Sequence, residues 1–146
     1  MSARFRRSNA VLTIVGLVLA AAPASAASLQ DLQGAWTTDH AACARTFSFG
    51  GGGPGFRPDA DLFASAFIVQ TRRIRTPLAS CRVASQKRDG DWLELRLACE
   101  NTVSDTPMVA RFSLVERGLL VRRMGPASAG TAPRGTAFIR CEGTAQ

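Results

Sequence analysis

One histidine, four cysteines and a few scattered carboxylates are the residues of this 146-residue chain that could carry chemistry. Nucleophilic catalysis of the serine type needs a histidine held between the nucleophile and a carboxylate. The histidine, His40, follows Asp39, but the sequence has no Gly-x-Ser-x-Gly segment, and its surroundings are typical of a capped turn or short helix. No sequence context marks a pair for glycoside chemistry among the carboxylates Asp59, Asp61, Asp91, Glu94 and Glu100. The sequence therefore predicts that the protein is not an enzyme.

The first 26 residues are organised as a secretory signal peptide. Three arginines, at positions 4, 6 and 7, precede an apolar run over residues 10–22, and Ala24-Ser25-Ala26 supplies a cleavage site of the Ala-x-Ala type. The run is shorter than the roughly 20 residues that a membrane-spanning helix needs. We therefore predict cleavage after Ala26, a periplasmic or secreted location, and no transmembrane segment after cleavage.

The mature chain, residues 27–146, has the length of a single domain. Three of the 18 basic residues belong to the signal peptide, so the mature charge is about +4 instead of the +7 of the whole chain. That charge is too small for the dense basic stripe of a nucleic-acid-binding protein. We expect no nucleic-acid partner.

The four cysteines all lie in the mature chain, and their even number in a small exported domain predicts two disulfides. The chain has no Cys-x-x-Cys pair, and one histidine cannot complete a Cys/His zinc site of the usual spacing. We therefore expect no metal and no cofactor. The cysteines are Cys43, Cys81, Cys99 and Cys141.

A period of two residues dominates the chain from residue 66 onward, as β-strands require. Residues 92–99 alternate between an apolar face and a face that carries Glu94 and Arg96, and residues 108–114 repeat the pattern. Most connections are too short for crossover helices. The sequence predicts an all-β antiparallel fold of six to eight strands, either an up-and-down, lipocalin-like barrel or a two-sheet sandwich.

The hairpin around Gly90 bears on the disulfide pairing. A three- or five-residue loop centred on Gly90 would place Cys81 opposite Cys99, and Cys43 would then pair with Cys141. A two-residue turn would shift the register by one residue and put Cys81 and Cys99 on opposite faces. We predict the first arrangement.

Glycine and arginine mark two further features. Residues 50–55 are so rich in glycine that they predict a flexible connection. Two basic clusters, expected on outward faces, could contact an anionic envelope surface if they lie side by side, or could simply be solvated. They consist of Arg72, Arg73 and Arg75, and of Arg122 and Arg123.

The segment before the first predicted strand is a short turn, Ser28 to Gly34, followed by Trp36. This Gly34-x-Trp36 start resembles that of lipocalin-like barrels, in which the tryptophan plugs one end. It is also similar to the start of small secreted bacterial metalloprotease inhibitors, which share the barrel and place a cysteine soon after the tryptophan, as Cys43 is here. The resemblance implies structural roles for Gly34 and Trp36.

A second resemblance covers nearly the whole mature chain. Several segments are similar to a group of small exported four-cysteine proteins of alphaproteobacteria that has no assigned activity, and the resemblance implies export, the cysteine framework and the β fold. The segments are residues 31–39, Cys43, residues 60–62, 67–69 and 74–75, Cys81, Gly90, Cys99, residues 112–114 and residues 140–141.

These observations favour a non-catalytic binding or interaction module with an unknown ligand. A ligand-binding barrel would need an internal cavity, for which the small residues Ala66, Ala84 and Ala110 are candidates. A protein-interaction module or metalloprotease inhibitor would need an exposed apolar edge, and an envelope structural or stress protein is the remaining alternative. The candidates for the edge are Phe47, Phe49, Phe56 and Phe63.

Overall fold

The structure is a computed structural model that describes residues 27–100, 108–125 and 135–143. The predicted signal peptide lies outside the described residues. Across the described ranges, no helix is long and apolar enough to cross a membrane.

Eight strands form a closed barrel in which every neighbouring pair is antiparallel. The order around the barrel is β1-β10-β9-β8-β7-β6-β5-β4, and β4 closes the ring against β1. The prediction of an all-β antiparallel barrel with two disulfides is confirmed, and the sandwich alternative is wrong. The barrel strands are β1 (Gly34–Thr37), β4 (Ala66–Gln70), β5 (Arg73–Arg75), β6 (Ser80–Asp89), β7 (Trp92–Glu100), β8 (Met108–Glu116), β9 (Leu119–Met124) and β10 (Thr136–Cys141).

The two ends of the barrel differ in how the chain covers them. Because neighbouring strands are antiparallel, the tight turns after β4, β6 and β8 share one end with the start of β1, and we call this the lower end. The turn at residues 29–32 lies just before β1. The upper end carries the β5–β6 turn, the starts of β4 and β8, and the end of β9.

Four aromatic side chains fill the barrel interior next to the lower end. The Phe67 ring stacks on Trp36 at 6.4 Å and meets Phe112 and Phe138 at 5.8 and 4.9 Å between ring centroids. All four are at most 1% exposed. Burial of rings of this size contributes much of the stability of a small core. This part of the barrel is therefore packed and holds no ligand cavity.

The predicted lining of small residues is wrong at two of its three positions. Ala110 faces the interior, where it pairs with Leu95. Ala66 lies on the outer side of the wall within a second apolar cluster, and Ala84 is exposed. The physical reason at Ala84 is strand alternation, because its neighbour Val83 faces the interior; a β-bulge also leaves Ala84 unpaired between Val83 and Ser85.

The disulfides are Cys81–Cys99 and Cys43–Cys141, as predicted. The predicted loop is wrong, however, because Asp89 pairs with Trp92 and leaves a two-residue turn. That turn alone would misalign the cysteines by one residue. The bulge at Ala84 absorbs the difference, so Cys81 again lies opposite Cys99.

The chain between β1 and β4 packs on the outside of the barrel. It contains a 3-10 turn (His40–Ala42), helix α1 (Cys43–Thr46) and a hairpin of β2 (Phe47–Gly50) and β3 (Gly53–Phe56). The Cys43–Cys141 disulfide fastens α1 to β10. Beneath this cover lies an outer cluster of five buried residues, Ala35, Phe47, Ala66, Ile68 and Cys141.

The hairpin corrects the prediction of a flexible connection at residues 50–55. Gly53 adopts a φ of +92°, a conformation that glycine reaches without strain, and this allows the tight reversal. The Phe47 and Phe56 rings pack at 5.4 Å across the two strands. The strands β2 and β3 pair regularly because Phe47 and Phe56 supply the side-chain packing that the glycines between them cannot.

Candidate functional site

The two predicted arginine clusters lie on opposite sides of the barrel. The first belongs to β5 and the turn before it, the second to β9, and three strands separate β5 from β9 in either direction around the ring. The prediction that all five arginines could form one basic face is therefore wrong. It failed because the clusters' relative position depends on the barrel closing.

The arginines of the first cluster each donate a hydrogen bond to the protein itself. Arg72 donates to the carbonyl of Val83 at 2.9 Å. Arg73 donates to Ser80 Oγ at 3.1 Å and also lies 3.5 Å from a Glu100 carboxylate oxygen. The third, Arg75, donates to Gln70 Oε1 at 2.9 Å and to the carbonyl of Pro54 at 3.3 Å.

In the second cluster, Arg122 and Arg123 point in opposite directions. Arg123 lies on the outer face with its guanidinium 4.4 Å from the Trp92 ring centroid. Arg122 pairs with Phe112 on β8 and with Thr136 on β10, and directly paired residues share a face, so Arg122 faces the interior. The expectation that both arginines point outward is wrong for Arg122.

Two arginines bracket the aromatic layer of the interior. At the lower end, the Arg140 guanidinium lies 4.7 Å from the Trp36 ring centroid. On the upper side, the Arg122 guanidinium lies 4.5 Å from the Phe138 centroid and 5.3 Å from that of Phe67. Guanidinium groups at these distances gain cation–π attraction from the rings.

Arg140, the arginine at the lower end, and Trp36 both donate hydrogen bonds to the turn that covers this end. Arg140 Nη2 donates to the carbonyl of Asp31 at 2.5 Å, and Trp36 Nε1 donates to the carbonyl of Leu32 at 2.8 Å. Gly34, with a φ of +125°, turns the chain from the covering segment into β1. Trp36 is fully buried, so its indole plugs this end of the barrel.

The covering turn itself is fastened by Ser28 and Asp31. The Asp31 carboxylate accepts hydrogen bonds from the Ser28 hydroxyl at 2.6 Å and from its backbone N–H at 2.8 Å. These hydrogen bonds, first that from the hydroxyl, lower the pKa of Asp31. The short capped turn predicted before Gly34 is therefore present.

The upper arginine has no such partner. Among the described residues, no hydrogen-bond acceptor or carboxylate contacts Arg122. Its Nε is buried without a hydrogen-bond partner, as are those of Arg111, Arg123 and Arg140. Burial lowers the pKa of the Arg122 guanidinium, which nevertheless stays protonated in proteins. Arg122 is thus a cation inside the barrel that lacks a counter-ion among the described groups.

The rim above Arg122 is apolar. Met124 shares its face through pairing with Ala110, and Met108 faces inward through pairing with Leu97. Each methionine is 39% exposed, whereas their partners Leu97 and Ala110 on the same inner face are buried. Sequence reasoning missed this site because residues 119–124 have no clear alternation. The tight turn at residues 117–118 alone would pair Arg122 with Ser113, and a β-bulge at Val115 shifts the register so that Arg122 lies opposite inward-facing Phe112.

The histidine lies elsewhere, in a groove outside the barrel. The groove has a volume of about 880 Å³ and lies between His40, the β2 strand and Glu142. Asp39 Oδ1 accepts a hydrogen bond from Ala41 N at 2.9 Å, so Asp39 caps the 3-10 turn that contains His40, where the sequence predicted a capped turn or short helix. In the part of the chain that the structure describes, no three potential ligands among His, Cys, Asp and Glu cluster as a metal site would need.

The predicted apolar edge is only partly exposed. Phe47 is buried and Phe56 is half-buried against it, whereas Phe49 and Phe63 are 41% and 83% exposed. Two of the four phenylalanines therefore belong to the outer cluster or its edge and are wrong as surface candidates.

Comparison with known proteins finds no matching family model, no similar curated protein and no similar solved structure. The resemblances drawn from the sequence stay predictions.

Proposed function

We propose that the protein is an exported, non-catalytic binding module that takes a small organic anion into the upper end of its barrel, against Arg122. Two disulfides support export, because such bonds persist in oxidising compartments. The closed lower end behind Trp36 supports the lipocalin-like description of the barrel.

The observation that carries the proposal is the contrast between two otherwise similar arginines. Arg140 and Arg122 both lie over aromatic rings of one core, but only Arg140 donates to a described acceptor, the carbonyl of Asp31. Arg122 is half-buried, and a cation that loses part of its hydration without gaining a counter-ion is destabilised. A bound anion would supply the partner that Arg122 lacks.

The surroundings of Arg122 define the shape of the ligand. Phe67 and Phe138 lie against the guanidinium, and the interior beyond them is filled, so an anionic group would stop at Arg122. The remainder of the ligand would extend toward Met108 and Met124. Methionine side chains adapt to different apolar shapes. The site therefore fits a carboxylate or sulfonate attached to a small apolar group.

The test uses 8-anilino-1-naphthalenesulfonate, a fluorescent apolar anion, as the probe. We expect saturable binding of one probe per protein, weakened by Arg122→Met. A hydrogen bond to a charged group contributes about 1.5–3 kcal/mol, so we expect Kd to rise about 10- to 150-fold. Competition by octanoate would show that a carboxylate occupies the same site.

Arg123→Met is the matched control, because it removes the neighbouring arginine from the outer face. It should leave the probe's Kd unchanged. Thermal unfolding of both variants shows that they are folded. Equal effects of the two substitutions, or unchanged binding in a folded Arg122→Met variant, would leave Arg122 as a structural cation only.

A further inference from the structure

The exposed apolar side chains are distributed unevenly between the two ends of the barrel. Seven large apolar residues are exposed in the described part of the chain, and five of them lie at or beside the upper end. At the lower end the exposed residue of this kind is Val115, near the β8–β9 turn. The five are Leu62, Phe63, Leu78, Met108 and Met124, with exposures of 55%, 83%, 55%, 39% and 39%.

Two loops present the most exposed of these side chains. Leu62 and Phe63 lie just before β4, where Asp61 Oδ1 accepts a hydrogen bond from Phe63 N at 2.9 Å and shapes the tip. Leu78 lies in the β5–β6 turn, closed by a hydrogen bond of 2.8 Å from Thr76 N to the carbonyl of Ala79. Since β4 and β5 are neighbours, the two tips flank the same sector of the upper end.

Basic residues lie on the strands directly behind these tips. Arg73 on β5 is paired opposite Arg82 on β6, and both lie on the outer face. Like charges in this position destabilise a sheet. Arg73 has Glu100 as an ion-pair partner at 3.5 Å, whereas no described carboxylate pairs with Arg82. Arg82 is therefore available to an external anion.

Two of the three acidic residues near these tips already form ion pairs within the protein. Asp59 pairs with Arg57 at 3.2 Å and Glu100 pairs with Arg73, whereas Asp61 is in no described ion pair and accepts the Phe63 N–H. Apolar tips in front of arginines match the boundary of a bilayer, where side chains such as Phe and Leu enter the acyl region and basic groups meet phosphates.

We propose that the upper end of the barrel docks on an anionic lipid bilayer, with Phe63 and Leu78 entering the interface and Arg82 contacting headgroup phosphates. This is independent of Arg122, which lies inside the barrel. Docking there would direct the end of the barrel that carries Met108 and Met124 toward the membrane.

The test is co-sedimentation with vesicles of phosphatidylglycerol and phosphatidylcholine, compared with pure phosphatidylcholine vesicles, at low and high salt. We expect binding to the anionic vesicles that weakens with salt. The double variant Phe63→Ser/Leu78→Ser should reduce binding about tenfold or more, because each apolar side chain contributes to insertion. Arg82→Gln should weaken binding and flatten its salt dependence.

Matched controls come from the lower end. Val115→Ser removes an exposed apolar side chain, and Arg117→Gln removes an exposed charge; neither should change binding. Absence of binding to anionic vesicles at low salt would overturn the proposal. An equal loss of binding in the control variants would also overturn it. Binding to soluble dextran sulfate, together with vesicle binding that is unchanged in Phe63→Ser/Leu78→Ser, would identify the partner as an anionic polymer and overturn the proposal as well.

Discussion

Removal of the Cys43–Cys141 disulfide should lower the free energy of unfolding by more than the loss of its local packing contacts would explain. The bond closes a loop with a sequence separation of 98 residues, against 18 for Cys81–Cys99. In the chain-entropy model, cross-links of these lengths stabilise the folded state by about 4–5 and about 3 kcal/mol. Since small domains are stable by about 5–15 kcal/mol in total, we expect Cys43→Ala/Cys141→Ala to be folded but only marginally stable.

The measurement is urea unfolding followed by tryptophan fluorescence. If the disulfide acts on the unfolded chain, its loss should also raise the m-value, because a released chain exposes more surface. The matched control is Phe47→Ala, which removes packing from the outer cluster beneath α1 but keeps both disulfides. That variant should lose about 3–5 kcal/mol with an unchanged m-value. A loss below about 2 kcal/mol for the cysteine variant, with no change in m, would refute the entropic account.

Three further predictions concern the lower end. Trp36→Phe should lose about 1–3 kcal/mol in urea unfolding, because the carbonyl of Leu32 is left without the buried donor Nε1; a neutral effect would contradict this. Thr71→Asn should raise the unfolding free energy by about 1 kcal/mol, because the β-branched Thr71 has a φ of +54° that asparagine tolerates better, while Thr71→Val should give no gain. Finally, the pKa of Asp31 lies below its ordinary value of 3.8, so the folded state binds this proton less readily than the unfolded state. The stabilisation by Asp31 is therefore present above pH 3.8 and is lost as the pH falls below it. In a plot of the urea midpoint against pH, Asp31→Asn should flatten the acid side. An unchanged acid side would contradict the assignment.

The strand pattern could be predicted from the sequence because the long strands β6, β7 and β8 each have one buried face, and because β4, buried on both faces, is a short continuous apolar run. The Cys81–Cys99 pairing was predicted correctly from a loop that does not exist. Two local features, the short turn before Trp92 and the bulge at Ala84, compensate for each other. Sequence periodicity is insensitive to such compensation, since the bulge lies in a polar stretch that shows no break in alternation.

The candidate site could not be predicted in the same way. The inward position of Arg122 depends on its pairing with Phe112, and an arginine in the sequence is ordinarily assigned to the surface. The separation of the two arginine clusters depends on the closure of the barrel by β1 and β4. Both are long-range properties, and neither leaves a mark on the local residue pattern.

The central claim is that Arg122 is the anion-binding group of the barrel interior. The most direct measurement is the side-chain Nε–Hε signal of Arg122 in a ¹H–¹⁵N NMR spectrum, assigned with Arg122→Lys and followed while 8-anilino-1-naphthalenesulfonate is added. We predict that this signal shifts and saturates with the Kd found by fluorescence, whereas the signal of Arg140, already held by Asp31, does not move. An unmoved Arg122 signal at probe saturation would contradict the claim.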